Sequence, residues 1–125
     1  MILVDTSIWI SYLKNDDLDT SDILLNYLDK GHVFTFSAIF GELFQGAINN
    51  KERGIIQVIW ETLPKVDEDE LFIRAGNLSS RYKLYNQGVG LIDSCLLVAC
   101  LENNLALWTL DKKLQRAYDS ITSES

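Results

Sequence analysis

Basic residues are scarce in this sequence. Eleven lysines and arginines stand against eighteen aspartates and glutamates, a net charge of −7 over 125 residues. A protein that holds nucleic acid by bulk charge is normally basic, so that mode of binding is disfavoured. An enzyme whose acids hold metal ions is not, because a bound cation reverses the local field. Proline occurs once and glycine seven times, which excludes collagen-like and low-complexity chains. The cysteines are Cys95 and Cys100, and the one histidine is His32. A structural zinc site needs four such ligands; the two thiols share an apolar run and read as core residues. Long apolar stretches are also missing. Leu91 to Leu101 is half a membrane span and contains Asp93. The N-terminus has no basic region and meets an acid at Asp5, unlike a signal peptide. The expectation is a soluble cytoplasmic protein with no membrane partner. Length and a 47% hydrophobic composition fit one globular domain over residues 1–125, with a frayed tail from about 120.

Three short apolar runs fit buried strands: Ile2-Leu3-Val4, His32 to Phe36, and Leu105 to Thr109. Between them the pattern is helical. Asp5-Thr6-Ser7 supplies caps for a helix through Ile8, Trp9, Tyr12 and Leu13. Asn15 to Asp19 reads as a loop, Thr20 or Ser21 as the next cap, and Gly31 as a C-terminal stop. Ser37 caps a helix expected to reach about Asn49. Another spans about Glu52 to Leu63, before Pro64. Asp67-Glu68-Asp69-Glu70 reads as a capping box for a helix from Leu71 to about Tyr85. Leu91 to Asn103 is apolar nearly all round, as in a buried helix, and Asp111 opens the last helix. Strands alternating with helices predict a three-layer α/β/α sandwich with a central parallel sheet.

The candidate chemistry is acidic. Asp5 ends the first strand, Asp111 follows the last, and Asp93 lies in the first turn of the apolar helix. Ligands of open parallel sheets bind beyond the carboxyl ends of the strands. Glu42 joins them from a helix face that also carries Ala38 and Gly46, small neighbours that leave its carboxylate approachable. Each aspartate alone also fits an ordinary N-cap, a role with a value of about 1 kcal/mol, and Glu42 alone fits a solvated helix face. Together, four carboxylates would repel one another and raise their pKa values unless a cation sits among them. Mg²⁺ or Mn²⁺ suits such oxygen donors.

Four blocks carry a family resemblance: Val4-Asp5-Thr6-Ser7, Gly41 to Ala47, Leu91-Ile92-Asp93-Ser94, and Leu107 to Asp111. In this order, across almost the whole chain, the sequence resembles the PIN-domain ribonucleases, most closely the toxin subunits of VapBC-type toxin–antitoxin pairs. The resemblance implies a PIN-like α/β/α sandwich and a Mg²⁺- or Mn²⁺-dependent endoribonuclease. It implies Asp5, Glu42, Asp93 and Asp111 as the acidic quartet holding metal, with Thr6, Ser7 and Thr109 orienting the carboxylates. It also implies an RNA substrate, a cognate antitoxin and a homodimer.

Lys112, Lys113, Arg116, Arg74 and Arg81 are the candidates for contact with RNA phosphates, although each also fits a solvated surface residue. Trp9, Trp60 and Trp108 are candidates for base stacking, Trp108 fitting the core better; Trp9 and Tyr12 could instead face a partner subunit. Competing readings fare worse. A receiver-type phosphoacceptor domain needs adjacent acids after the first strand, and a haloacid-dehalogenase-like phosphatase needs an acid where Ser7 stands. A catalytically silent PIN-like binding module remains the alternative.

Overall fold

The computed structural model describes residues 1–124. Three parallel strands form its sheet: β1 (Ile2–Val4), β2 (Val33–Phe34) and β3 (Ala106–Trp108), in the order β2-β1-β3. Ile2 lies opposite Val33 and Ala106, and Leu3 opposite Phe34 and Leu107. Successive strand side chains point to opposite faces. All three residues of β1 are nonetheless buried, so helices cover the sheet on both sides, as the apolar run predicts. This is the expected α/β/α arrangement.

Seven helices are present among the described residues: α1 (Thr6–Lys14), α2 (Leu18–Asp29), α3 (Ser37–Gln45), α4 (Asn50–Thr62), α5 (Leu71–Tyr82), α6 (Leu91–Asn103) and α7 (Lys112–Thr122). A 3-10 turn at Tyr85–Gln87 precedes α6. The apolar helix α6 has the expected limits and packs on β1, β3, α5 and α7. Its residues from Ser94 to Cys100 are all buried, which explains its lack of a polar face.

Several boundaries differ from expectation, each for a local reason. The second helix is capped by Asp17, whose carboxylate accepts from the Asp19 amide and the Thr20 hydroxyl, both at 3.0 Å. Thr20 and Ser21 therefore lie inside α2, which ends just before Gly31, a residue in the left-handed region at φ 69°. The third helix stops at Gln45 because Asn49 begins the next one, accepting from the Glu52 amide at 2.8 Å. The capping box before α5 does not form. Glu70 occupies the cap position with left-handed backbone and no side-chain bond. α5 ends at Tyr82, ahead of a left-handed Lys83. At the C-terminus α7 reaches Thr122 and buries Ile121 against the core. Ser125, the end of the expected tail, lies outside the described residues. Trp9 is fully buried and meets Phe40 edge-on with ring centres 5.4 Å apart, so it faces neither bases nor a partner.

Truncating Leu96, fully buried in α6, should cost about 2–5 kcal/mol. Truncating Ile73, 65% exposed on α5, should change stability by about 0.5 kcal/mol or less. Urea unfolding of Leu96→Ala and Ile73→Ala measures both.

Candidate active site

The chain turns from β1 directly into α1, and Asp5 stands at that junction. Its amide extends the sheet by donating to the Trp108 carbonyl at 3.0 Å. Only 7% of the residue is exposed, and a carboxylate so placed needs partners. One oxygen accepts from the Thr6 amide at 2.7 Å. The other accepts from the Ser7 hydroxyl at 2.9 Å and the Thr109 hydroxyl at 2.6 Å. Both hydroxyls work twice. Ser7 Oγ accepts from the Leu110 amide and Thr109 Oγ1 from the Asp111 amide, each at 3.0 Å. The loop leaving β3 is thus tied to the loop leaving β1.

The remaining acids attach to this frame. The Thr6 hydroxyl donates to Glu42 Oε1 at 2.8 Å, bringing α3 to the start of α1. Asp111 caps α7, accepting from the Lys113 and Leu114 amides at 2.9 and 3.2 Å. Asp93 sits in the first turn of α6, a helix begun by Gly90 without a side-chain cap. Among the described residues, no hydrogen bond or ion pair engages the Asp93 carboxylate. Its pKa is pushed up to about 6, first by burial and then by the charges of Asp5, Asp111 and Glu42. All four predicted acids therefore share one electrostatic neighbourhood. Asp5 and Asp111 are also N-caps, as the alternative reading holds; Asp93 caps nothing.

The predicted cations divide. Arg74 pairs with Glu102 at 2.8 Å and also donates to the Asp69 carbonyl. Glu102 is nine positions beyond Asp93 on α6, about 13 Å along the axis, so Arg74 is bound away from the acids. Arg81 lines the same α5–α6 groove. Lys113 lies nearer, its stem folded over Gly88 in the loop before α6. A β-carbon on Gly88 would come within 2.9 Å of Lys113 Cδ, a contact the flexible lysine stem can relieve, while φ 78° makes any side chain there strained. Lys112 and Arg116 are exposed on α7.

Among the described residues, no three Asp, Glu, His or Cys side chains converge into a ready metal cage. The donor chemistry nevertheless fits a hard divalent cation. All the groups are carboxylate or hydroxyl oxygens, and the ion pair among the described residues, Arg74–Glu102, lies elsewhere. Mg²⁺ keeps several waters and uses one or two carboxylates directly, so four separated acids could hold it partly through water.

The Asp93 shift has a sign. Its folded pKa, about 6, lies above the usual carboxylate value of 3.8. The folded state is favoured below 3.8, and that advantage is lost as pH rises through 6. In EDTA, Asp93→Asn should therefore raise Tm at pH 7.5 and leave it nearly unchanged at pH 4. Calorimetry at both pH values checks this; equal shifts at the two would contradict it.

The PIN domain family profile matches residues 2–120. Over 121 residues the chain is 33% identical to Ribonuclease VapC32 of Mycobacterium tuberculosis, found with that name in two strains, and the match covers 94% of this chain and 90% of that protein. With acids gathered at the carboxyl edge of a parallel sheet and a match spanning nearly its whole length, the chain belongs to the PIN domain family.

Proposed function

We propose that this chain is a metal-dependent endoribonuclease and the toxin of a type II toxin–antitoxin pair. The observation that carries the reading is the coupling of Asp93 to Asp5, Asp111 and Glu42 in a PIN-domain chain whose relative is named a ribonuclease. Residues 1–125 act in this reading as one PIN-like domain. Asp5 and Asp93 are the principal metal ligands, and Glu42 and Asp111 complete the site directly or through water. When bound, Mg²⁺ or Mn²⁺ supplies Lewis-acid activation of water and offsets charge on the leaving oxygen.

The protein's own residues do the positioning. Ser7 and Thr109 hold one Asp5 oxygen from two sides, leaving the carboxylate little rotational freedom. Thr6 holds Glu42. Such supporting hydrogen bonds orient ligands that would otherwise repel one another. No side-chain nucleophile is required. Lys113, followed by Lys112 and Arg116, is the cationic approach to the acids for RNA phosphates; Arg81 and Arg74 would serve only a longer strand crossing the α5–α6 groove. The partners are RNA, a cognate antitoxin and a second copy of the chain, and the compartment is the cytoplasm. Among the described residues no helix is long and apolar enough to cross a membrane. A catalytically silent PIN-like module is the second reading, favoured by the lack, among the described residues, of three side chains that converge into a metal cage.

Purified protein should cut total RNA into discrete fragments with Mn²⁺ and stop with EDTA, and Asp93→Asn or Asp5→Asn should lower the rate by about 100-fold or more, the upper range for losses around metal ligands. Metal binding without cleavage would favour the silent module. Lys113→Ala should weaken RNA binding and reduce the slope of log affinity against log salt by about one.

A further inference from the structure

The first turn of a helix leaves amide donors without intrahelical partners. In α3 the residue at the cap position is Phe36, which offers no side-chain acceptor. Glu68, from the segment between α4 and α5, takes that role across 31 positions of sequence. Its Oε2 accepts from the Ser37 amide at 3.1 Å and its Oε1 from the Ser37 hydroxyl at 2.5 Å. Both carboxylate oxygens are thus committed to one residue at the helix start.

Glu68 is itself held in place. The Thr35 amide donates to the Pro64 carbonyl at 3.2 Å, and the Val66 amide to the Thr35 carbonyl at 3.0 Å, adding this segment to the β2 edge of the sheet. On its other side, the Leu71 amide donates to the Glu68 carbonyl at 3.0 Å. The clamp therefore joins the sheet edge, the start of α5 and the start of α3.

Glu42 lies five positions beyond Ser37 on α3. Ile39, Phe40 and Leu43 are buried and choose the helix face, but apolar packing is non-directional and holds axial position less firmly than hydrogen bonds do. Glu42 is exposed, and its one side-chain anchor among the described residues is the 2.8 Å bond from Thr6. A small shift at Ser37 would carry through the rigid helix to this carboxylate.

We propose that Glu68 is a positioning residue for the acidic site: by clamping Ser37 it sets the place of Glu42. The assignment rests on reading that site as a metal centre. Mn²⁺ affinity, measured by titration calorimetry on the full chain, tests it in wild type, Glu68→Ala, Glu42→Gln and the double variant. Glu68→Ala should bind Mn²⁺ about 10-fold more weakly, the lower range for loss of a supporting partner. In the Glu42→Gln background it should cause no further loss, since the two act through one path. Where RNA cleavage is followed, kcat should fall and KM stay within about twofold, because only uniform binding moves KM alone. Glu68→Gln, which keeps an acceptor for Ser37, should recover part of the loss. Should Glu68→Ala fail to fold, Ser37→Ala removes the hydroxyl half of the clamp and should show the same dependence on Glu42. Wild-type affinity in a folded Glu68→Ala, or equal losses in both backgrounds, would overturn the assignment. A wild type that binds Mn²⁺ but cuts no RNA would instead overturn the nuclease reading and leave the binding cycle to decide on Glu68.

Discussion

The buried carboxylate of Asp5 is the point on which the rest of the site hangs. It ends the central strand, caps α1 and accepts hydrogen bonds from Thr6, Ser7 and Thr109. Ser7 and Thr109 each pass a second bond to the loop that leaves β3. A charged group this far from water is stable only with such company. Its partners in turn fix the relative placement of β1, β3, α1 and α7. Through Thr6 the same network reaches α3 and Glu42.

The second constraint is repulsion. The four acids account for more than half of the chain's net charge of −7, and the raised pKa of Asp93 registers their proximity. The hydroxyls of Thr6, Ser7 and Thr109 spread the charge of Asp5 and Glu42 over neutral dipoles. This arrangement costs folding free energy near neutral pH, as expected where a functional site is kept at the expense of stability.

Much of this was legible in the residues. The limits of α6 follow from its unbroken apolar character, and the limits of β1 and α1 from an apolar triplet followed by Asp-Thr-Ser. Placing Asp5 and Asp111 at one sheet edge needs only the rule that parallel strands end on the same side. The errors arose where several cap formers compete. Asp17, Thr20 and Ser21 all suit a helix start, and the outcome depends on which backbone is extended. Asp67 to Glu70 has the composition of a capping box, yet Glu68 turns to Ser37 on a different helix. No local pattern distinguishes a carboxylate that caps its own helix from one that caps a neighbour. Trp9 likewise suits a core or an interface by composition, and its burial is a consequence of packing.

By itself, then, the sequence determined the alternation of buried strands and helices, the central place of α6 and the placement of Asp5 and Asp111 at one sheet edge. These follow from periodicity and from the chemistry of residues close together along the chain. Only the tertiary structure decided that Thr6 serves Glu42 rather than its own helix, that Arg74 is bound away from the acids, and that Glu68 clamps α3. Those outcomes depend on which side chains meet across tens of residues. Long-range contacts of that kind are set by the packing of whole elements, and local sequence does not encode them separately.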